Sequence, residues 1–299
     1  YKNKVESTIK PTLGAVKLQA LKAPQIQKML NDLQRGTSGR KPLSAKTVKD
    51  IYGILHRALG QAVEVGYLRI NPSDACKLPR VERQEIRPLD EAQTAAFLNA
   101  IHGQPFERLF IVDLLTGLRQ GELLGLRWKD VDFDAGTVTV AQQLLKSKEK
   151  CGAYFFGSLK NDKTRLLTPA PSVMKALRDQ RRVQTEWRLK AEELWEDSGL
   201  VFTDELGRHL SHVTVRKHFK KVVASIGIPE ARFHDLRHSF AVNSLQAGDN
   251  PKVVQENLGH ATAAFTLDVY AHATERAKRD SAERMEALFQ STKKTASSL

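Results

Sequence analysis

Six side chains suited to phosphoryl-transfer chemistry follow one another along the 299-residue chain: Arg119, Lys160, His234, Arg237, His260 and Tyr270. Guanidinium groups offer paired hydrogen bonds to phosphate oxygens, and their charge does not titrate away. Lysine and histidine can transfer protons, and a tyrosine hydroxyl can attack phosphorus when a base or a positive charge assists it. The set could therefore hold, protonate and attack a phosphodiester without a metal ion.

Both arginines lie in segments that predict helices. The segment TGLRQGELLGLRW places Arg119 after a glycine turn, and Glu122 lies one helical turn further on, where it could hold the guanidinium. The segment HDLRHSF places His234 and Arg237 three residues apart, on one face of a helix. Each segment alone also fits a surface ion pair or a capping histidine. In combination they predict a two-armed clamp on one phosphate.

The other three candidates lie in less regular sequence. The segment SLKNDKTRLL predicts a hairpin, with Lys160 and Lys163 on either side of its turn as candidate proton donors. The segment ENLGH places His260 just past a predicted helix end, and Tyr270 follows ten residues later in TLDVYAH. A solvated turn lysine, a structural histidine and a packed tyrosine are the alternatives that these local patterns leave open.

Other chemistries have weaker support in the sequence. The histidines His234, His238, His260 and His272 could be combined into a metal site. The sequence contains no HExxH motif, no cysteine pair, no Walker loop and no GxGxxG element, and no serine occupies a nucleophile elbow. We therefore expect neither a metal nor a cofactor. The two cysteines, Cys76 and Cys151, are far apart and indicate a reducing compartment.

The charge of the chain suits a polyanionic partner. The formal net charge is +13. Residues 1–88 hold 17 Lys and Arg against 7 Asp and Glu, a net charge of +10, which leaves +3 for residues 89–299. We therefore expect an electrostatic contact with nucleic acid to lie mainly in the first third.

The sequence predicts no association with a membrane. No apolar run approaches the roughly 18 residues of a membrane span, and no signal peptide opens the chain. We expect a cytoplasmic location. Because the sequence starts at Tyr1 rather than Met, we also expect a segment upstream of it.

Hydrophobic spacing predicts a mainly α protein with one small antiparallel β-sheet, an α+β fold of two domains. Residues 44–65 predict an amphipathic helix capped by Ser44. Its apolar stripe consists of Val48, Ile51, Leu55, Leu59 and Ala62. With a shorter helix over 23–33, in which Pro24 occupies the first turn, this pattern predicts an all-helical domain over residues 1–78.

Residues 79–88 carry charges and two prolines without apolar periodicity, and they predict a linker. The second domain is expected over residues 89–299. Its predicted helices lie near 91–101 and 105–115, followed by a turn at Thr116-Gly117 and another helix through Leu126. Its predicted strands cover 137–141, 153–159 and 165–168. A further apolar helix face is predicted at about 274–290.

In this order, the motifs TGLRQGELLGLRW, SLKNDKTRLL, HDLRHSF and ENLGH and the tyrosine of TLDVYAH resemble the tyrosine recombinase (phage integrase) family. The resemblance spans essentially the whole chain, particularly to integrases of conjugative transposons and temperate phages. It implies a helical core-binding domain and a catalytic domain. It also implies that Arg119 and Arg237 bind the scissile phosphate of DNA, while Tyr270 attacks phosphorus and forms a 3′-phosphotyrosyl bond.

The resemblance implies roles for the remaining residues as well. Lys160 would be the general acid for the leaving 5′-hydroxyl, with Lys163 as the alternative. His234 and His260 would assist proton transfer, and Glu122 would support Arg119.

The partners implied by the family are double-stranded DNA at the element ends and the target site, and three further copies of the chain in a homo-tetramer. An excisionase or a host DNA-bending protein is a further candidate. The segment at about 274–290 would be exchanged between subunits, and the protein would be associated with a bacterial nucleoid. Two alternatives stay open: a type IB topoisomerase-like enzyme acting on one duplex, and a DNA-binding protein that no longer cleaves.

Overall fold

The computed structural model describes residues 1–37, 39, 41–81, 87–147, 153–159 and 163–259, and in the C-terminal part residues 282, 283, 285, 286 and 289. The chain forms two compact units, Tyr1–Glu85 and Ile86–Leu299. The predicted linker falls partly outside the described residues, which omit 82–86. Across the described ranges, no helix is long and apolar enough to cross a membrane.

The first unit is built around two amphipathic helices. Helix α1 (Lys2–Lys4), a π-helical segment (Val5–Ile9) and helix α2 (Lys10–Leu13) precede helices α3 (Ala23–Arg35) and α4 (Ala45–Glu64). The Ser44 side chain caps α4 by accepting a hydrogen bond from the Thr47 backbone N–H at 3.2 Å. The buried residues of α4 are those of the predicted stripe, and all of them except Ala62 pack in one core with the apolar residues of α3. Both predicted helices are confirmed.

The second unit is mostly helical. Its α-helices are α5 (Glu91–Ile101), α6 (Glu107–Thr116), α7 (Gln120–Leu124), α8 (Pro171–Ala191), α9 (His212–Ser225), α10 (Phe233–Gln246) and α11 (Pro251–Leu258). The helices predicted near 91–101 and 105–115 are confirmed, whereas α7 ends two residues before the predicted Leu126. Gly117 terminates α6 in the left-handed conformation, with φ of 62°.

Within the described residues, five short strands form two antiparallel sheets. They are β1 (Val131–Asp132), β2 (Thr137–Val140), β3 (Gln143–Lys146), β4 (Tyr154–Gly157) and β5 (Arg165–Leu167). One sheet has the order β1-β2-β5, and β3 pairs with β4 in the other. The predicted α+β class is confirmed, and the strands divide between two sheets where one was expected.

The hairpin predicted for SLKNDKTRLL is wrong, because the strands on either side of it belong to different sheets. Strand β4 pairs with β3, and β5 pairs with β2 so that Val138 lies opposite Leu167. Both of these side chains are buried in the main core. Burial of β5 beside β2 outweighs the local turn signal, and the predicted turn itself, Asn161-Asp162, lies outside the described residues.

An aromatic cluster fixes the start of α10. The rings of Phe97, Phe110, Phe219 and Phe233 come from four helices, α5, α6, α9 and α10. Phe233 lies 6.2 Å from Phe110 and 5.6 Å from Phe219, measured between ring centroids in tilted or edge-to-face arrangements. The first turn of α10, which carries His234, is thereby held against the core.

The C-terminal part is described at five positions only. All five are helical and lie within the predicted helix at about 274–290, and Met285 and Phe289 are exposed.

We predict that Gly117→Ala lowers the free energy of unfolding of the second unit by about 3 kcal/mol, from left-handed strain and overpacking together. A Cβ atom at Gly117 would lie 2.7 Å from side-chain atoms of both Leu258 and Phe240. The matched control is Gly136→Ala, where φ is 65° and the space is open. The control is expected to cost about 1 kcal/mol from strain alone. Equal losses in urea denaturation would contradict the steric constraint.

Candidate active site

Arg119 is positioned by the turn between α6 and α7. It is the N-cap residue of α7, whose Leu123 and Leu124 side chains are fully buried and anchor the short helix. The Arg119 backbone N–H donates to Glu122 Oε2 at 2.9 Å, and Arg119 Nη1 donates to Glu122 Oε1 at 2.8 Å. One third of the Arg119 side chain, 33%, remains exposed. The guanidinium is therefore held on one side and accessible on another.

Glu122 is a buried carboxylate shared between two arginines. Its side chain is only 2% exposed. Besides Arg119 it binds Arg165, whose Nη2 donates to Oε2 at 2.6 Å and whose Nη1 donates to Oε1 at 3.2 Å. Burial by itself would raise the pKa of Glu122, but the hydrogen bonds and charges of Arg165, followed by those of Arg119, lower it to about 2. Glu122 is therefore ionised throughout the physiological pH range.

Arg237 lies on α10 and is almost completely buried. Its Nη1 donates to the Gly117 carbonyl at 2.7 Å, and its Nη2 donates to the Leu258 carbonyl at 2.6 Å. His234 lies one turn earlier on the same helix. Loss of hydration, followed by the charge of Arg237, lowers the pKa of His234, so the imidazole is biased toward its neutral form. A neutral imidazole can accept a proton.

Three arginines donate hydrogen bonds to carbonyls at the C-terminal end of α11. Arg165 Nε donates to the carbonyl of Asn257 at 2.9 Å, Arg237 Nη2 to that of Leu258, and Arg119 Nη2 to that of Gly259 at 3.1 Å. The last carbonyls of a helix lack intrahelical partners and carry partial negative charge, which favours cations there. Arg119 and Arg237 are consequently bound to neighbouring carbonyls, although they lie far apart in the sequence.

A cavity of about 390 Å³ opens beside His234, between α9 and the start of α10. It is lined by Gln120, Arg216, Phe219, Lys220, Arg232, Phe233 and His234. Three of these residues are cationic and exposed, while the two phenylalanines are buried beneath them. The cavity therefore has a cationic rim above an apolar floor.

The structure brings together four of the residues predicted from the sequence: Arg119, Glu122, His234 and Arg237. Lys160, His260 and Tyr270 lie outside the described residues. The helix end predicted before His260 is confirmed, because Gly259 ends α11 in the left-handed conformation.

Two ionisable side chains of the site with little exposure were missed. Arg165 is a lone cation in the strand sequence RLL, and this was the only local feature of the sequence that could have indicated a role for it. Asp113 on α6 is buried, and neither carboxylate oxygen has a hydrogen-bond partner within the described part of the chain. Burial raises the pKa of Asp113 well above its usual value, although Arg237 opposes that shift. His, Cys, Asp and Glu form no group of three that could hold a metal among the residues described here.

Residues 87–277 match the model of the phage integrase family, and the chain belongs to this family of tyrosine recombinases. It is 31% identical to a XerC-like tyrosine recombinase of Caldanaerobacter subterraneus subsp. tengcongensis, over 97% of this chain and 76% of that protein. It is 26% identical to the ICEBs1 integrase of Bacillus subtilis, over 83% of this chain and 67% of that protein. The predicted class, a site-specific recombinase, is confirmed.

Solved structures share the fold. The Tn1549 transposon integrase in complex with transposon right end DNA has a TM-score of 0.79 at 24% identity, covering 95% of this chain and 92% of that one. A lambda integrase tetramer bound to a Holliday junction has a TM-score of 0.63 at 20% identity, covering 88% of this chain and 70% of that one. The two-unit α+β architecture is thus that of the recombinases.

We predict that the stabilising effect of Glu122 disappears in acid. The pKa of Glu122 is about 2 in the folded chain and about 4.5 when unperturbed. Because the folded value is the lower one, this contribution is complete above about pH 4.5 and is lost as the pH falls toward 2. It amounts to about 3 kcal/mol.

The measurement compares free energies of unfolding of the parent chain and of Glu122→Gln between pH 2 and pH 7. The difference between the two proteins should shrink by that amount on acidification. A difference that stays constant with pH would show that Glu122 does not carry the buried charge.

Proposed function

We propose that this recombinase cuts and rejoins duplex DNA through a 3′-phosphotyrosyl intermediate, and that it mediates the integration and excision of a mobile element. The observation that carries the proposal is the pair of guanidiniums, Arg119 and Arg237, bound to neighbouring carbonyls at the end of α11. Two fixed cations side by side suit the two non-bridging oxygens of one phosphodiester.

Arg119 and Arg237 bind the scissile phosphate and stabilise the additional negative charge of its pentavalent transition state. Both are held by hydrogen bonds before DNA arrives, so little reorganisation is needed during the reaction. Glu122 keeps Arg119 oriented. Fixed guanidiniums can supply the charge stabilisation that a divalent cation supplies in other phosphoryl-transfer sites.

Tyr270 is the proposed nucleophile. Its hydroxyl oxygen bonds to phosphorus while its proton passes to a histidine, His234 or His260, and the bond from phosphorus to the 5′ oxygen breaks. Lys160 donates a proton to the departing 5′ oxygen, which leaves as a 5′-hydroxyl, and Lys163 is the alternative donor. Attack by the 5′-hydroxyl of another strand reverses these steps. Because the covalent bond retains the energy of the phosphodiester, rejoining needs no ATP.

The proposed substrate is duplex DNA at the element ends and the target site. The excess positive charge in residues 1–88 and the cationic rim of the cavity beside His234 support this choice. We assign residues 1–78 as the core-binding domain, 79–88 as the linker and 89–299 as the catalytic domain. We further propose that the protein forms a homo-tetramer on DNA, in which the helix at about 274–290 is exchanged between subunits. Its proposed location is the bacterial cytoplasm, in association with the nucleoid. An excisionase or a DNA-bending host protein is the proposed regulator.

We predict that Tyr270→Phe abolishes covalent attachment to DNA while leaving binding unchanged, because only the hydroxyl oxygen is removed. The probe is the duplex that this protein selects from a random-sequence pool, nicked near the cleavage position so that the cleaved strand diffuses away. A denaturation-resistant adduct is then quantified on gels. Tyr154→Phe is the matched control, since Tyr154 lies on strand β4 and has no role in the proposed chemistry, and this variant is expected to form the parental adduct.

An adduct formed by Tyr270→Phe at the parental rate would show that another residue is the nucleophile. If the parent chain binds the nicked duplexes without forming an adduct, a DNA-binding protein that no longer cleaves is favoured. Relaxation of a single supercoiled duplex without any strand exchange would favour the topoisomerase-like alternative.

A further inference from the structure

Arg165 makes several hydrogen bonds within the site, but it has no role in the proposed chemistry. It lies on β5 and binds both carboxylate oxygens of Glu122 on α7. Its Nε also donates to the Asn257 carbonyl on α11. The guanidinium packs against Gly259, where an added Cβ atom would lie 3.0 Å from Arg165 Nη1. One side chain therefore joins three elements around Arg119.

The charges of this group determine what Arg119 can offer to an anion. Arg119 Nη1 donates to Glu122 Oε1 at 2.8 Å, and a Glu122 carboxylate with no other cation beside it would form a neutral pair with Arg119. A neutral pair attracts a phosphate much less than a free guanidinium does, and the low exposure of Glu122 leaves little water to screen this effect. With Arg165 included, the three side chains carry a net charge of +1.

The hydrogen-bond distances and the exposed fractions of the side chains indicate different roles for Arg119 and Arg165. The shortest hydrogen bond to the Glu122 side chain, 2.6 Å, comes from Arg165. The side chain of Arg165 is 12% exposed, whereas that of Arg119 is 33% exposed. The better-buried arginine is thus suited to neutralising the carboxylate, and the more accessible one is suited to contacting a ligand.

We infer that Arg165 is a positioning residue that neutralises Glu122, so that Arg119 keeps both its orientation and its positive charge for the scissile phosphate. The inference rests on the proposed function. Arg165 itself touches no reacting atom, and it acts through Glu122. Loss of Arg165 should therefore slow the reaction only while the Glu122 carboxylate is present. A merely structural role of Arg165 would not depend on that carboxylate.

The experiment measures the single-turnover rate of adduct formation on the nicked selected duplex at saturating protein. Arg165→Gln should lower this rate about 100-fold, because Arg119 is then neutralised by Glu122. Glu122→Gln should lower it about tenfold through loss of orientation. The double variant should react within about twofold of Glu122→Gln, and therefore about tenfold faster than Arg165→Gln. Recovery of activity by a second substitution is the decisive sign.

Two further variants serve as controls. Arg165→Lys keeps the charge and should stay within about tenfold of the parent. Arg188→Gln removes one cation from an ion pair with Asp197, in which both side chains are mostly exposed, and should leave the rate unchanged. Thermal unfolding of each variant accompanies the rates. If Arg165→Gln does not fold, the comparison of Glu122→Gln with the double variant still decides.

The inference is overturned if Arg165→Gln reacts like the parent, or if Arg165→Gln lowers the rate about 100-fold in the Glu122→Gln background as well. Failure of the proposed function has a different signature, because the parent chain itself would then form no adduct on DNA that it binds.

Discussion

The end of α11 is the constraint on which the site depends. Its carbonyls at residues 257, 258 and 259 have no partners within the helix, and each accepts a hydrogen bond from a different arginine. These arginines come from β5, α10 and the turn before α7. The partial negative charge of the helix end offsets part of the repulsion between three neighbouring cations. This anchor holds the two proposed phosphate-binding arginines at one point, in addition to the hydrogen bond from Arg237 to the Gly117 carbonyl in the turn before Arg119.

The end of α11 is also directly followed in the sequence by other residues of the proposed active site. Gly259 ends α11 in a left-handed conformation, and it lies against both Arg119 and Arg165. The sequence continues directly into His260 and, eleven residues after Gly259, reaches Tyr270. A substitution that loosens the end of α11 would therefore disturb the arginines and the start of the segment that carries the proposed nucleophile together.

Buried charge is tolerated in this core because nearly all of it is paired. Glu122 is neutralised by two arginines, and Arg237 donates to two carbonyls. Such pairs are costly to desolvate, and removing one partner costs more than removing both. This asymmetry explains why the effects of Glu122 and Arg165 should be strongly non-additive. Asp113 differs, since burial raises its pKa well above the usual value and neither of its carboxylate oxygens has a hydrogen-bond partner within the described residues.

Much of the fold and part of the site could be predicted from local sequence. The stripe of α4, the helices around Arg119 and Arg237, and the end of α11 are all encoded by spacing within a few residues. Arg165 could not be found in this way, because its role arises from contacts with residues more than forty positions away in either direction. The hairpin around Lys160 was wrong for the same reason, since β5 pairs with β2 rather than with the preceding strand.

The central claim is that one phosphate of DNA binds between Arg119 and Arg237 while both arginines remain attached to the end of α11. A crystal structure of Tyr270→Phe on its selected duplex tests this most directly. We expect the scissile phosphate within hydrogen-bond distance of both guanidiniums, with their contacts to the Leu258 and Gly259 carbonyls preserved. A phosphate bound to neither arginine, or arginines that leave the helix end to reach it, would show that the two arginines do not hold the phosphate in this way.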